Sequence, residues 1–169
     1  MALWLVRAGK HGEHEKRFLQ ENRVYLTWDG LSEDLSKVDR KDIFNLLQRH
    51  YPDDKKGTIR NWVGQVWPFA NEMRKGDWVV LPSKLKPAAI HFAEIIGPYK
   101  FDSKAEDPYY HFRTVKWFAK DIPRSIFDQD LLYSLGAFKT VCRIERKDAE
   151  DGIRAMAMAN WKARSAKFE

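Results

Sequence analysis

Residues 78–81 (Trp-Val-Val-Leu) and 89–96 both read as strands, and only the loop from Pro82 to Pro87 separates them. Lys75-Gly-Asp77 turns the chain into the first run, and Gly97-Pro98 stops the second. A loop this short holds no helical crossover. Further strand patterns fall at 2–8, 24–28, 110–119 and 138–145. Helical spacing lies between them: 13–22 with Phe18 and Leu19, and a helix from an Asp39 N-cap to about His50 with Ile43, Leu46 and Leu47 on one face. Thr58 is expected to cap a third helix carrying Ile59, Val63, Val66 and Trp67, which Pro68 should break or kink. Residues 127–135 predict a short helix ending before Gly136, and 148–161 a last one with Ile153, Met156, Ala157 and Trp161 inward. Several strands follow one another without a helical crossover, which excludes a doubly wound parallel sheet. The expected class is α+β: a small mixed, largely antiparallel six-stranded β-barrel with helices packed outside.

At 169 residues and 44% apolar content, the chain builds one domain with a real core. Its net charge of +6 favours a polyanionic partner. No apolar run is long enough to span a membrane, and the start lacks the pattern of a signal peptide. The single Cys142 excludes an internal disulfide and a multi-Cys zinc site and suits a reducing, cytoplasmic compartment. Mid-strand, it reads as a buried small hydrophobe.

Catalytic signatures are missing. Gly9-Lys-His-Gly12 is not a phosphate-binding loop, since neither the spaced glycine nor the following Ser or Thr is present. There is no Gly-x-Ser-x-Gly elbow and no His-Glu-x-x-His pair. His11 and His14 have metal-binding spacing but no third ligand, and solvated surface accounts for them. Glu145, Asp148, Glu150 and Asp151 stand at a strand-to-helix junction, where acidic residues favour a helix start. No catalytic residue, metal or cofactor is therefore expected, and the chain alone should not be an enzyme.

The tryptophans divide. Trp4, Trp78 and Trp117 lie in strand runs, and Trp67 and Trp161 face inward on helices; all five read as packing residues. Trp28 ends a strand against Asp29-Gly30, which places it at a barrel mouth. Trp62 lies in the polar helix start Arg60-Asn-Trp-Val-Gly-Gln65, where Gly64 suggests a close approach by another group. Both rings are candidates for a binding surface, with packing between helix and barrel as the alternative. Lys84 and Lys86, in the loop after a strand, are placed to touch phosphates together with Arg60 and Arg113.

The ordered motifs Trp4-Leu-Val-Arg-Ala-Gly-Lys-His-Gly12, Val24-Tyr-Leu-Thr-Trp28, Asn61-Trp-Val-Gly-Gln65, Lys75-Gly-Asp-Trp-Val-Val80, Ala93-Glu-Ile-Ile-Gly-Pro-Tyr99 and His111-Phe-Arg-Thr-Val-Lys-Trp117 resemble PUA-like domains of the EVE, YTH and SRA type. The likeness is to modules at the N-terminus of Mrr-type, modification-dependent restriction endonucleases. It covers residues 2–145 and implies a base-reading domain at 1–147, followed at 148–169 by a helix and a linker to a further, covalently linked nuclease domain. It also implies a pocket that holds an extruded, modified base: Trp28 on one wall, Trp62 with Asn61 opposite, and Ser83 at the rim or floor. Asp29 would accept from an exocyclic amine or serve only its turn. No cage residue is assigned in 101–108.

The expected partner is DNA carrying a methylated or hydroxymethylated base, read by base flipping. An RNA reader of the same barrel type is the alternative, and a protein- or small-ligand-binding module the second.

Overall fold

Leu3 and Leu5 of β1 (Leu3–Val6) point to one face of the sheet, Trp4 and Val6 to the other, and all four are at most 2% exposed. A strand buried on both faces reads as an unbroken apolar run, which is why period-two alternation is invisible there. The structure, a computed structural model, describes residues 1–136, 139–145 and 148–162. After β1 come α1 (Glu15–Glu21), β2 (Arg23–Tyr25), α2 (Arg40–His50), α3 (Lys56–Asn71), β3 (Trp78–Pro82), β4 (Ala89–Ile95), β5 (Lys100–Phe101), β6 (His111–Pro123), α4 (Gln129–Ser134), β7 (Val141–Arg143) and α5 (Ala149–Met158).

The strands form one mixed sheet in the order β2-β6-β4-β3-β1-β7, with the short β5 added on β6. Among the described residues, only β1 and β3 pair in parallel. The sheet curls into a half-barrel: among the described residues no ladder joins its two end strands, β2 and β7. One core cluster gathers Trp4, Val6, Val79 and Val115 with Phe18, Leu47, Ile59, Val66 and Phe69 of the first three helices. The other gathers Leu3, Leu5, Val80 and Phe92 with Leu131 of α4 and Ile153 and Met156 of α5. The α+β class and the small barrel-like sheet are as expected, and α5 is packed into the fold. The linker expected after it, 163–169, lies outside the described residues, as does Phe138 of the last predicted strand.

Local chemistry explains the element ends. The Asp39 carboxylate accepts from Asp42 N–H at 2.8 Å while Asp42 accepts from Asp39 N–H at 3.0 Å, a reciprocal cap on α2. Gly76, at φ +94°, makes the turn into β3, and Asp77 behind it accepts from Ala2 N–H, Trp4 Nε1–H and Arg74 N–H. That one carboxylate ties the starts of β1 and β3 together.

Five expectations change. The third helix begins at Lys56, before Thr58, without a side-chain cap. It also runs through Pro68 unbroken. Proline removes the N–H owed to the Gly64 carbonyl, but Gly64 is exposed, so that carbonyl turns to water at little cost. Nothing lies within 4 Å of where a Gly64 Cβ would stand, so no other group approaches there. Trp78 is only half-buried, its ring 4.7 Å from the exposed Phe118. Cys142 is half-buried on the edge strand β7, and partial burial raises its thiol pKa.

Candidate functional site

The gap between the two ends of the curled sheet is closed by α3. Gln65 is 5% exposed, and its Oε1 accepts from Thr140 N–H at 2.7 Å and Val141 N–H at 3.4 Å, at the start of β7. Its Nε2 donates to Asn61 Oδ1 at 2.8 Å. Three residues earlier on the helix, Trp62 reaches the chain that leaves β2, where Trp28 meets it. A helix side chain that supplies edge-strand N–H groups with an acceptor stands in for the missing neighbouring strand.

A cavity of about 290 Å³ opens at this gap, lined by Thr27, Trp28, Asp29, Tyr51, Trp62, Gln65 and Thr140. Trp62 is the hinge of its aromatic wall. Its ring lies 5.9 Å from Trp28 at 68° and 5.0 Å from Tyr51 at 72°, both edge-to-face contacts. The rings touch, so they form a corner and leave no slot between them. Trp62 therefore does not stand opposite Trp28 across a base, as expected; a flat ligand would stack on one ring and meet the edge of another.

Tyr51 follows α2 and closes the wall. Its hydroxyl donates to the Asp29 backbone carbonyl at 2.7 Å, and Asp54 N–H donates to the Tyr51 carbonyl at 3.2 Å. The Asp107 carboxylate accepts from Gly30 N–H at 2.9 Å, beside Asp29. Burial, and then the charges of Asp29, Asp107 and Asp54, push the Tyr51 phenol above its ordinary pKa. No hydrogen bond within the described residues takes up the Asp29 carboxylate, the Thr27 and Thr140 hydroxyls, or the indole N–H of Trp28 and Trp62. These groups face water or a ligand.

Behind this wall, Tyr99 and His111 fix the segment that follows Trp28. Leu35 N–H donates to Tyr99 Oη at 3.1 Å, and Tyr99 Oη–H donates to His111 Nδ1 at 2.6 Å. His111 Nε2–H donates to the Leu31 carbonyl at 2.6 Å. A carbonyl only accepts, so the proton is on Nε2 and Nδ1 is the acceptor.

Of the expected pocket residues, Trp28, Asp29 and Trp62 come together at the cavity. Asn61 is one step removed, exposed and bonded to Gln65. Ser83 is elsewhere. It is 4% exposed, donates to Glu15 Oε2 at 2.6 Å and accepts from Lys86 N–H at 2.9 Å, so it fastens the β3–β4 loop to α1. His91, 3.5 Å from Glu15, completes that buried group.

Of the expected phosphate contacts, Arg113 is the clear correction. It is 4% exposed, and its guanidinium donates to the carbonyls of Phe69 (2.8 Å), Ala70 (3.3 Å) and Gly97 (3.4 Å). Burial pulls its pKa down to about 10. It caps the C-terminal end of α3, where a cation complements the helix dipole, so its guanidinium is taken up by backbone carbonyls and not held out on the surface. Arg60, Lys84 and Lys86 are exposed, and none lines the cavity. Lys86 pairs with Asp121 at 3.3 Å.

His14 contacts the Tyr109 hydroxyl at 2.6 Å, and among the described residues no three His, Cys, Asp or Glu side chains are placed to hold a metal. No helix among these residues is long and apolar enough to cross a membrane.

Sequence reasoning missed Tyr51 and Gln65. Tyr51 precedes Pro52 and reads only as a helix end, whereas Gln65 lies in the motif that drew attention to Trp62. No curated protein matches this chain. One family model, Domain of unknown function (DUF8426), matches residues 4–145, most of the chain, which therefore belongs to that family.

Proposed function

We propose that this chain is a nucleic-acid-binding module that takes a single modified base, extruded from DNA, into the corner formed by Trp28, Trp62 and Tyr51. The observation that carries the reading is the pairing of aromatic walls with unsatisfied polar groups at one small cavity. A flipped base loses stacking worth a few kcal/mol, and aromatic faces restore much of it while polar groups read its hydrogen-bonding edge. At about 290 Å³ the cavity suits one base with a small substituent better than a larger cofactor. The half-barrel with helices across its open side supports a PUA-like assignment, which rests on the motif order set out above. By the same resemblance, strand scission would belong to a linked nuclease domain of a modification-dependent restriction system.

Titrating duplex DNA carrying one modified base, the unmodified duplex and the matched RNA, with tryptophan emission as readout, tests the proposal. Saturable quenching by the modified duplex, weakened in Trp62→Ala, is expected. Equal affinity for all three nucleic acids refutes base reading, and a preference for RNA reverses the choice of polymer.

A further inference from the structure

The cavity carries a charge pattern that a neutral base does not need. Asp29 lines it with an unpartnered carboxylate, and no Lys, Arg or His is among the lining residues. Two more carboxylates stand close by. Asp107 is fixed beside Asp29 by its bond to Gly30 N–H, and Asp54 is on the turn that packs back onto Tyr51. The walls next to them are π-systems, whose faces are themselves electron-rich. Carboxylates and ring faces both favour a cation and both disfavour a phosphate, in a chain whose overall net charge is +6.

From this we infer that the corner selects a base bearing a fixed positive charge, one in which a methyl group on a ring nitrogen makes the heterocycle cationic. This rests on the base-reading proposal above and names its ligand class. Charge also addresses a problem of discrimination. One added methyl is worth only about 1–3 kcal/mol in an apolar pocket, whereas a cation facing an aromatic wall and a carboxylate gains attraction that its neutral counterpart lacks. The polar lining favours a base over a methylated ammonium group. The Thr27 and Thr140 hydroxyls and the second Nε2–H of Gln65 can pair with a heterocycle edge but find few partners on an alkylammonium.

The test uses the full chain and four nucleosides. At about pH 6, 1-methyladenosine and 7-methylguanosine are cationic, whereas N6-methyladenosine and 5-methylcytidine also carry one methyl but no charge. The cationic pair should bind about tenfold more tightly, between the scale of an exposed and of a fully desolvated cation–π contact. Asp29→Asn should cut that preference to about threefold, and raised salt should also reduce it. The variant keeps its turn because Tyr51 bonds the backbone carbonyl of Asp29, not its side chain; a thermal melt checks this.

Equal or tighter binding of the neutral pair overturns the charge inference and leaves base reading standing. Failure of all four nucleosides, and of oligonucleotides carrying each base, overturns both. Binding of a trimethyl-lysine peptide in their place moves the site to a protein ligand and likewise overturns both.

Discussion

Trp62 stands edge-on to Trp28, with centroids 5.9 Å apart and planes at 68°, while its other flank meets Tyr51 at 5.0 Å. It is the shared member of both contacts, so the two tryptophans should respond differently to truncation. Each aromatic pair is worth about 0.5–1.5 kcal/mol beyond burial. Trp62→Ala loses two pairs and Trp28→Ala only the shared one, so Trp62→Ala should destabilise the fold by about 0.5–1.5 kcal/mol more, measured by urea unfolding. Binding of the modified base should fall roughly five- to a hundred-and-fifty-fold in both variants, from the loss of about 1–3 kcal/mol of stacking. Equal stability of the two variants would show that the Tyr51 contact contributes nothing.

Gln65 predicts a different loss. Gln65→Leu keeps the volume but removes the acceptor for Thr140 and Val141 N–H. A buried donor left without a partner costs about 1–3 kcal/mol. The destabilisation should appear locally as faster amide hydrogen exchange at Thr140 and Val141, with the interior of α2 much less affected. Uniform acceleration across the domain would mean that the start of β7 does not open independently.

Acid should weaken the fold through two histidines. His111 has Nδ1 occupied as an acceptor from Tyr99, and His91 Nδ1 accepts from Asp121 N–H at 3.0 Å, so both are held neutral. Burial lowers both pKa values. The unfolded chain binds these protons from about pH 6.5 downward while the folded chain resists them. The stability associated with neutral His is therefore complete above that pH and shrinks as pH falls toward the folded values. Urea midpoints at pH 7.5 and 5.0 should show the drop, and NMR titration should place both rings below the ordinary value. A His111 that titrates at or above 6.5 contradicts the Tyr99–His111–Leu31 arrangement.

Where the chain's chemistry is local, the sequence is readable. Asp39 caps α2 through a residue three positions away, Gly76 and Asp77 make their turn, and Trp28 is placed at a mouth by the turn that follows it. What escaped depends on partners remote in sequence. Ser83 is buried because Glu15 accepts a hydrogen bond from its hydroxyl, and Arg113 because three carbonyls from α3 and the Gly97 turn converge on it. A basic residue on an alternating strand looks the same whether it faces phosphate or caps a helix from behind. Pro68 misled for a related reason, since its cost depends on whether the Gly64 carbonyl can reach water.

Arg113 and Lys84 separate surface charge from structural charge. If nucleic acid binds across Arg60, Lys84 and Lys86, affinity should fall with salt at a slope of about −0.9 per duplex phosphate contact. Lys84→Ala removes a side chain from an exposed position whose backbone N–H remains bonded to Glu15 at 2.8 Å. It should therefore leave the melt nearly intact and reduce the slope by about one, equally for modified and unmodified duplex, because phosphates carry no base identity. Arg113→Ala should behave in the opposite way. It strips the α3 terminus of buried charge-assisted hydrogen bonds, each worth about 1.5–3 kcal/mol, and should lower the melting temperature sharply. Measured below its melt, it should keep the parental salt slope. If Arg113→Ala flattens the slope while the fold stays stable, the guanidinium reaches phosphate and its burial at the α3 terminus is not its role in the bound state.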